Sequence, residues 1–186
     1  SKARELANLR GTPTDNNILL QSTAGDAITA GSGQYNFAAG LNAFGAGTTG
    51  DNNVAIGQTA LGAATTGCLN IAIGQTALGV GVTTGIDNIA IGTVSSDAVT
   101  TGICNVAIGA RSFGAATTGC RNVAIGDAAM GGNAVTGLNN IAIGLASLYR
   151  MTSGLCNVAI GVEALCCATT GCLNVAIGKG ALGAGS

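Results

Sequence analysis

The chain has no histidine and no tryptophan, a single proline, and only 3% aromatic and 8% charged residues across its 186 positions. Without histidine, and with no carboxylate pair in a recurring position, general acid–base chemistry has almost nothing to work with, so no catalytic residue is assigned and no enzyme is expected. Seven Lys and Arg against eight Asp and Glu leave a net charge of −1. So sparse a positive surface cannot neutralise a run of phosphates, and nucleic acid is not an expected partner. No uninterrupted apolar run reaches the roughly 18 residues of a membrane helix, so membrane insertion is not expected either. The scarcity of charge also argues against a disordered chain. The thirty-two glycines do not recur at every third position as a collagen requires. No apolar stretch follows Ser1-Lys2-Ala3-Arg4-Glu5, so a secretory signal was either removed or never present.

What is present is an array. The stretch Thr49-Gly50-Asp51-Asn52-Asn53-Val54-Ala55-Ile56-Gly57 is written again and again with small changes. Nine copies close on Gly40, Gly57, Gly74, Gly92, Gly109, Gly126, Gly144, Gly161 and Gly178, at steps of 17 or 18 residues. An asparagine holds its place in every copy: Asn36, Asn53, Asn70, Asn88, Asn105, Asn122, Asn140, Asn157 and Asn174. So does the glycine three residues earlier, from Gly33 to Gly171. Length varies only after the Leu/Phe/Met position, as in Gly79-Val80-Gly81-Val82, which marks the tolerant loop. A 52-residue period is superposed, aligning Cys68, Cys120 and Cys172, and also Cys104 with Cys156.

Seventeen residues are too few for a helix pair and suit two short strands with two turns. The expected fold is therefore all-β, a parallel β-solenoid or β-roll with one coil per repeat. Val54-Ala55-Ile56 is the first strand of its coil and the Thr59-Ala60-Leu61 region the second. Gly57 and Gly50 fall at corners where positive φ or close backbone approach excludes a Cβ. At about 4.8 Å per coil, nine coils give a rod roughly 43 Å long. The asparagines are expected to stack as a structural ladder, bonding the copies above and below or the turn backbone.

Strand alternation sends Val54 and Ile56 to one face and Ala55 to the other. Alanine holds that second face in every copy, where a solvent face would drift toward polar residues. Both faces are therefore expected to be covered, the alanines by neighbouring chains. The competing arrangement is a narrow monomeric solenoid with alanine filling its interior.

Domain organisation follows the same pattern. Residues 1–13 are read as a short amphipathic helix and linker, from the spacing of Ala3, Leu6, Ala7 and Leu9, or as a frayed tail. Residues 14–31 hold a degenerate entry strand at Asn16-Asn17-Ile18-Leu19-Leu20-Gln21 and a Gly/Ser-rich connection, and residues 32–186 are the nine-copy array. Because a solenoid needs polar caps, the chain is expected to be part of a longer one or to have its end covered by a partner.

Three further features bear on chemistry. Gly45, Gly47 and Gly50 match G-x-G-x-x-G literally, but no helix follows them and no phosphate cradle can form. The calcium-binding nonapeptide is absent, and no metal or cofactor is expected. None of the seven cysteines has C-x-x-C spacing. Cys104 with Cys120, and Cys156 with Cys172, fall in adjacent coils, so disulfides are open to them. Small, buried, reduced thiols are the favoured reading. Cys166-Cys167 has no assigned role.

The repeat Thr-Thr-Gly-x-x-Asn-Val-Ala-Ile-Gly-x-x-Ala-Leu, over residues 32–183, resembles the head repeats of trimeric autotransporter adhesins and the similar arrays of bacteriophage tail fibres. Lys2-Ala3-Arg4-Glu5-Leu6-Ala7-Asn8-Leu9 looks like linker segments in phage fibre proteins. The resemblance implies a left-handed parallel β-roll, three chains around a common axis, and turns held by Asn53, Gly57 and their equivalents. It departs from the adhesins in its longer coil and in showing neither stalk nor membrane anchor. The function expected from it is a rigid homotrimeric spacer of a phage tail or virion fibre. Its partners would be its own copies, other fibre proteins at either end, and a host receptor met through a distal tip. A bacterial surface adhesin head is the alternative within the class, and an ice-binding solenoid carrying Thr48-Thr49, Thr65-Thr66 and Thr117-Thr118 is the alternative outside it.

Overall fold

The computed structural model describes residues 9–10, 16–28, 32–81 and 83–183. Among the described residues eleven short strands form one sheet in sequence order. They are β1 (Leu9–Arg10), β2 (Ile18–Leu20), β3 (Phe37–Ala39), β4 (Val54–Ile56), β5 (Ile71–Ile73), β6 (Ile89–Ile91), β7 (Val106–Ile108), β8 (Val123–Ile125), β9 (Ile141–Ile143), β10 (Val158–Ile160) and β11 (Val175–Ile177). From β2 to β11 all pairings are parallel and in register, so that Ala55 lies beside Ala72 and Ile56 beside Ile73. Only β1 runs antiparallel, on β2. The chain is an all-β solenoid with one strand per coil of about 17 residues.

The helix expected in residues 1–13 falls largely outside the described residues, and its last turn is corrected: Leu9–Arg10 is a strand. The second strand expected at Thr59-Ala60-Leu61 is also not there, and the segment is a turn. Thr59 (φ 58°) and Leu61 (φ 49°) both occupy the left-handed region, which folds the backbone where β geometry would extend it. The coils still bond to each other here, Thr59 N–H to the Leu41 carbonyl (2.8 Å) and Leu61 N–H to that of Ala77 (2.9 Å).

The largest correction concerns the two faces of the strand, where alanine fills the interior as in the competing arrangement. The alanines at the strand centres, from Ala38 to Ala159, have no exposed surface within the single chain. They point into the coil, in one core with Phe44, Leu61, Leu78, Phe113, Met130 and Leu148. The Val and Ile on either side of them point out. A coil this tight holds methyl groups and one larger side chain, as Ala55, Ala60 and Ala64 sit beside Leu61, so alanine on the strand is the volume match. Ala124→Leu is accordingly expected to cost about 1–3 kcal/mol by overpacking, read as a fall in melting temperature. An unchanged melt would mean that the interior has slack.

Candidate functional site

The asparagines form a continuous amide ladder whose geometry is set by the coil spacing. Asn53 Nδ2 donates to Asn36 Oδ1 (3.1 Å) in the coil before and to the Gly67 carbonyl (2.8 Å) in the coil after. Its Oδ1 accepts from the Asn70 backbone N–H (3.0 Å) and from Asn70 Nδ2 (3.3 Å). Both amide protons and both lone pairs are used. Asn70, Asn88, Asn105, Asn122, Asn140 and Asn157 repeat this pattern of bonds. Asn174 donates to Asn157 Oδ1 from both its backbone N–H and its Nδ2. Among the described residues no buried side-chain nitrogen or oxygen lacks a partner.

Asn17 is a further rung that the repeat consensus missed. Its Oδ1 accepts from the Asn36 N–H (2.7 Å), and its Nδ2 donates to the Gly33 carbonyl (2.7 Å). Asn36 in turn donates to the Gly50 carbonyl (2.8 Å). The glycines three residues before each asparagine thus supply the carbonyl column that receives the amide of the preceding coil. The legible signal was Asn17-Ile18-Leu19-Leu20, which keeps the asparagine-then-apolar order without the glycine.

The closing glycines stand at the other corner with φ between 119° and 138°, from Gly40 to Gly178. A Cβ on Gly57 would come within 2.6 Å of the Gly74 carbonyl oxygen, so backbone conformation and coil stacking both exclude it.

Between these two corners lies the outward face of the sheet. One column of it runs Ile18, Phe37, Val54, Ile71, Ile89, Val106, Val123, Ile141, Val158, Val175, and the other runs Leu20, Ala39, Ile56, Ile73, Ile91, Ile108, Ile125, Ile143, Ile160, Ile177. Neither column contains a polar residue. Stacked neighbours cover each side chain above and below, yet Ile56, Ile108 and Ile160 remain 37% exposed because nothing lies in front of them. Beside the face, Tyr35, Leu69, Ile86 and Leu155 are exposed on one border and Leu41, Leu145 and Val162 on the other. Ten strands about 4.8 Å apart make the strand face roughly 43 Å tall and 10 Å wide, which with its borders approaches the ~800 Å² per partner of a standard interface.

The remaining groups are scattered. All seven cysteines are free thiols, including Cys104, Cys120, Cys156 and Cys172, for which disulfides were open. The expectation that reduced thiols would be buried is corrected, since Cys104, Cys156, Cys167 and Cys172 are exposed. Arg111 and Asp127 form an exposed two-pronged ion pair (2.9 and 3.0 Å), a contact of small energetic value. Burial pushes the Asp97 carboxyl upward, against the pull of backbone N–H donors from Asp97 and Ala98. Among the described residues no three His, Cys, Asp or Glu side chains are grouped to hold a metal ion, and no helix is long and apolar enough to cross a membrane. No protein-family model, curated protein or solved structure matches the chain. The arrangement that does stand out is a hydrogen-bonded solenoid with one bare apolar side.

Proposed function

We propose that the chain is a rigid structural segment of a fibre, built from three copies that pack their outward Val/Ile faces around a common axis. The observation that carries this reading is the unbroken apolar face. Ten rungs without a polar residue form a patch larger than an ordinary surface leaves to water. Its occupant is a second and third copy of the same chain, because a face of uniform repeat and low charge is complementary in length and spacing to itself. The repeat's resemblance to phage tail-fibre arrays makes a virion fibre the setting, with other fibre proteins at its ends and a receptor-binding tip displayed threefold for avidity. A bacterial adhesin head at the cell surface is the same architecture in another setting. The turn toward alanine inside and Val/Ile outside moves the proposed interface to the opposite side of the strand from the alanine stripe.

Light scattering in the presence and absence of strong reductant tests this. One species at three times 17.8 kDa, unchanged by reductant, is the expected result. Ile108→Lys combined with Val123→Lys should yield monomers at micromolar concentration, since each desolvates a charge in the interface. A wild-type monomer would overturn the reading. It would also promote the ice-binding alternative, for which one specific observation exists: Thr49, Thr66, Thr84, Thr101, Thr118, Thr136, Ser153 and Thr170 are all exposed in one column. Thermal hysteresis of such a monomer would then decide.

A further inference from the structure

Cys166 and Cys167 break the repeat, which at the same place reads Gly45-Ala46, Gly62-Ala63 and Gly114-Ala115. Their sulfurs stand 3.4 Å apart at the surface of the coil. The Cys166 thiol is fixed by donating to the Gly183 carbonyl (3.0 Å), and its backbone carbonyl accepts from Arg150 N–H (3.0 Å). Cys167 is exposed and Cys166 half-buried. Cys166 is therefore positioned by hydrogen bonds to the coils on both sides, and Cys167 beside it is open to solvent.

Two reactions are available to such a pair, and geometry separates them. A direct disulfide asks for Cα atoms about 4.4–6.8 Å apart, whereas neighbours across a trans peptide are held at about 3.8 Å. A third atom bridging the sulfurs meets no such obstacle. Two thiolates each about 2.3 Å from one centre stand roughly 3.3 to 3.8 Å apart for bond angles of about 90° to 110°. The observed 3.4 Å falls in that span. We propose that Cys166 and Cys167 are a chelating dithiol that captures one soft, thiophilic metal or metalloid centre between their sulfurs, the ligand class that thiolates select.

With a monosubstituted trivalent arsenical as probe, the step is a condensation without redox change. The As–O bond of R–As=O breaks, two As–S bonds form, and the two thiol protons leave with the oxygen as one water. Burial and the neighbouring Cys167 push the Cys166 thiol upward, so capture quickens as pH rises and thiolate forms. Both sulfurs belong to one chain, so the site does not rest on the proposed trimer.

The test uses the full chain, reduced, with one equivalent of phenylarsine oxide. Intact mass should show a single adduct, and titratable thiols should fall from seven by two. Excess monothiol should leave the adduct in place, and a small dithiol should remove it. Cys166→Ser and Cys167→Ser, each checked for an unchanged circular dichroism spectrum, should form no monothiol-resistant adduct. Peptide mapping of wild type after alkylation should show Cys166 and Cys167 protected, which localises the adduct without any substitution. No adduct on wild type, an adduct in either variant that resists monothiol, or protection of other cysteines instead would each overturn the assignment.

Discussion

Gly126→Ala is expected to lower the melting temperature by roughly 10 °C, about 2–4 °C per kcal/mol for a chain of this length, and to broaden the transition. Two costs combine at this position. At φ 132° Gly126 lies where a side chain is strained by about 1–3 kcal/mol. A Cβ there would also stand 2.6 Å from the Gly144 carbonyl oxygen and 2.7 Å from its carbon. Relieving that contact means separating two coils, which breaks the Gly144 N–H bond to Ile125 and disturbs the β8–β9 pairing. Because each coil touches only its neighbours, the damage should divide the array into two blocks that melt apart. Gly178→Ala supplies the control. Its φ of 119° imposes similar strain, but a Cβ there meets nothing within 4 Å. The difference between the two variants in thermal denaturation isolates the stacking clash from the backbone strain. Equal melting temperatures would show that the corner glycines are chosen for conformation alone.

How much of this was legible in the sequence depends on which residues carried the constraint. The coil, its parallel sheet and the two glycine corners could be read because stacking forces the same residue at the same place in each copy. The Asn53 and Gly57 columns are that constraint made visible. The direction of the strand stayed open between two arrangements, alanine inside being the less expected one because the usual inference puts the larger side chain inside. Here the inner volume is set by how sharply the coil bends. The bend comes from left-handed residues: Asn52 (φ 58°), of a type that tolerates that region, and Thr59 (φ 58°) and Leu61 (φ 49°), of types that rarely enter it. Nothing in a leucine announces φ above zero. Each is held there by a bond to an adjacent coil, Asn52 N–H to Gln34 and Leu61 N–H to Ala77, so the conformation belongs to the stack and not to the residue. Asn17 is legible as part of an entry strand but not as a rung, for a related reason: position 14 holds threonine in place of the glycine that marks the other copies. The Cys166-Cys167 pair could be seen as an anomaly, but its 3.4 Å separation could not.

The amide ladder makes the sharpest distinction between shape and hydrogen bonding, because Asn122→Asp changes almost no volume. In the wild type, Asn122 Nδ2 donates to Asn105 Oδ1 (3.3 Å) and to the Gly137 carbonyl (2.9 Å). Its Oδ1 accepts from Asn140 N–H (2.9 Å) and Asn140 Nδ2 (3.1 Å). A carboxylate keeps the second pair of bonds and reverses the first, setting negative oxygen against two acceptors in a buried site. Leaving buried groups unpaired costs about 1–3 kcal/mol each, so a loss of roughly 3–5 kcal/mol is expected at neutral pH, more than for most surface substitutions. Burial and facing acceptors both favour the protonated acid, which raises its folded-state pKa above the unfolded value of about 3.9. The sign follows: relative to neutral pH, Asn122→Asp should regain stability as pH falls through the folded pKa, with the gain complete below the unfolded one, since a protonated oxygen can donate once again. Asn122→Ala, which cannot titrate, should be destabilised by a similar amount with no such recovery. Denaturant melts of both variants across acidic and neutral pH measure the difference, referred to wild type at each pH. Parallel pH profiles for the two variants would mean that the ladder holds the coils by packing, and that the amide protons carry little of the stability of the rod.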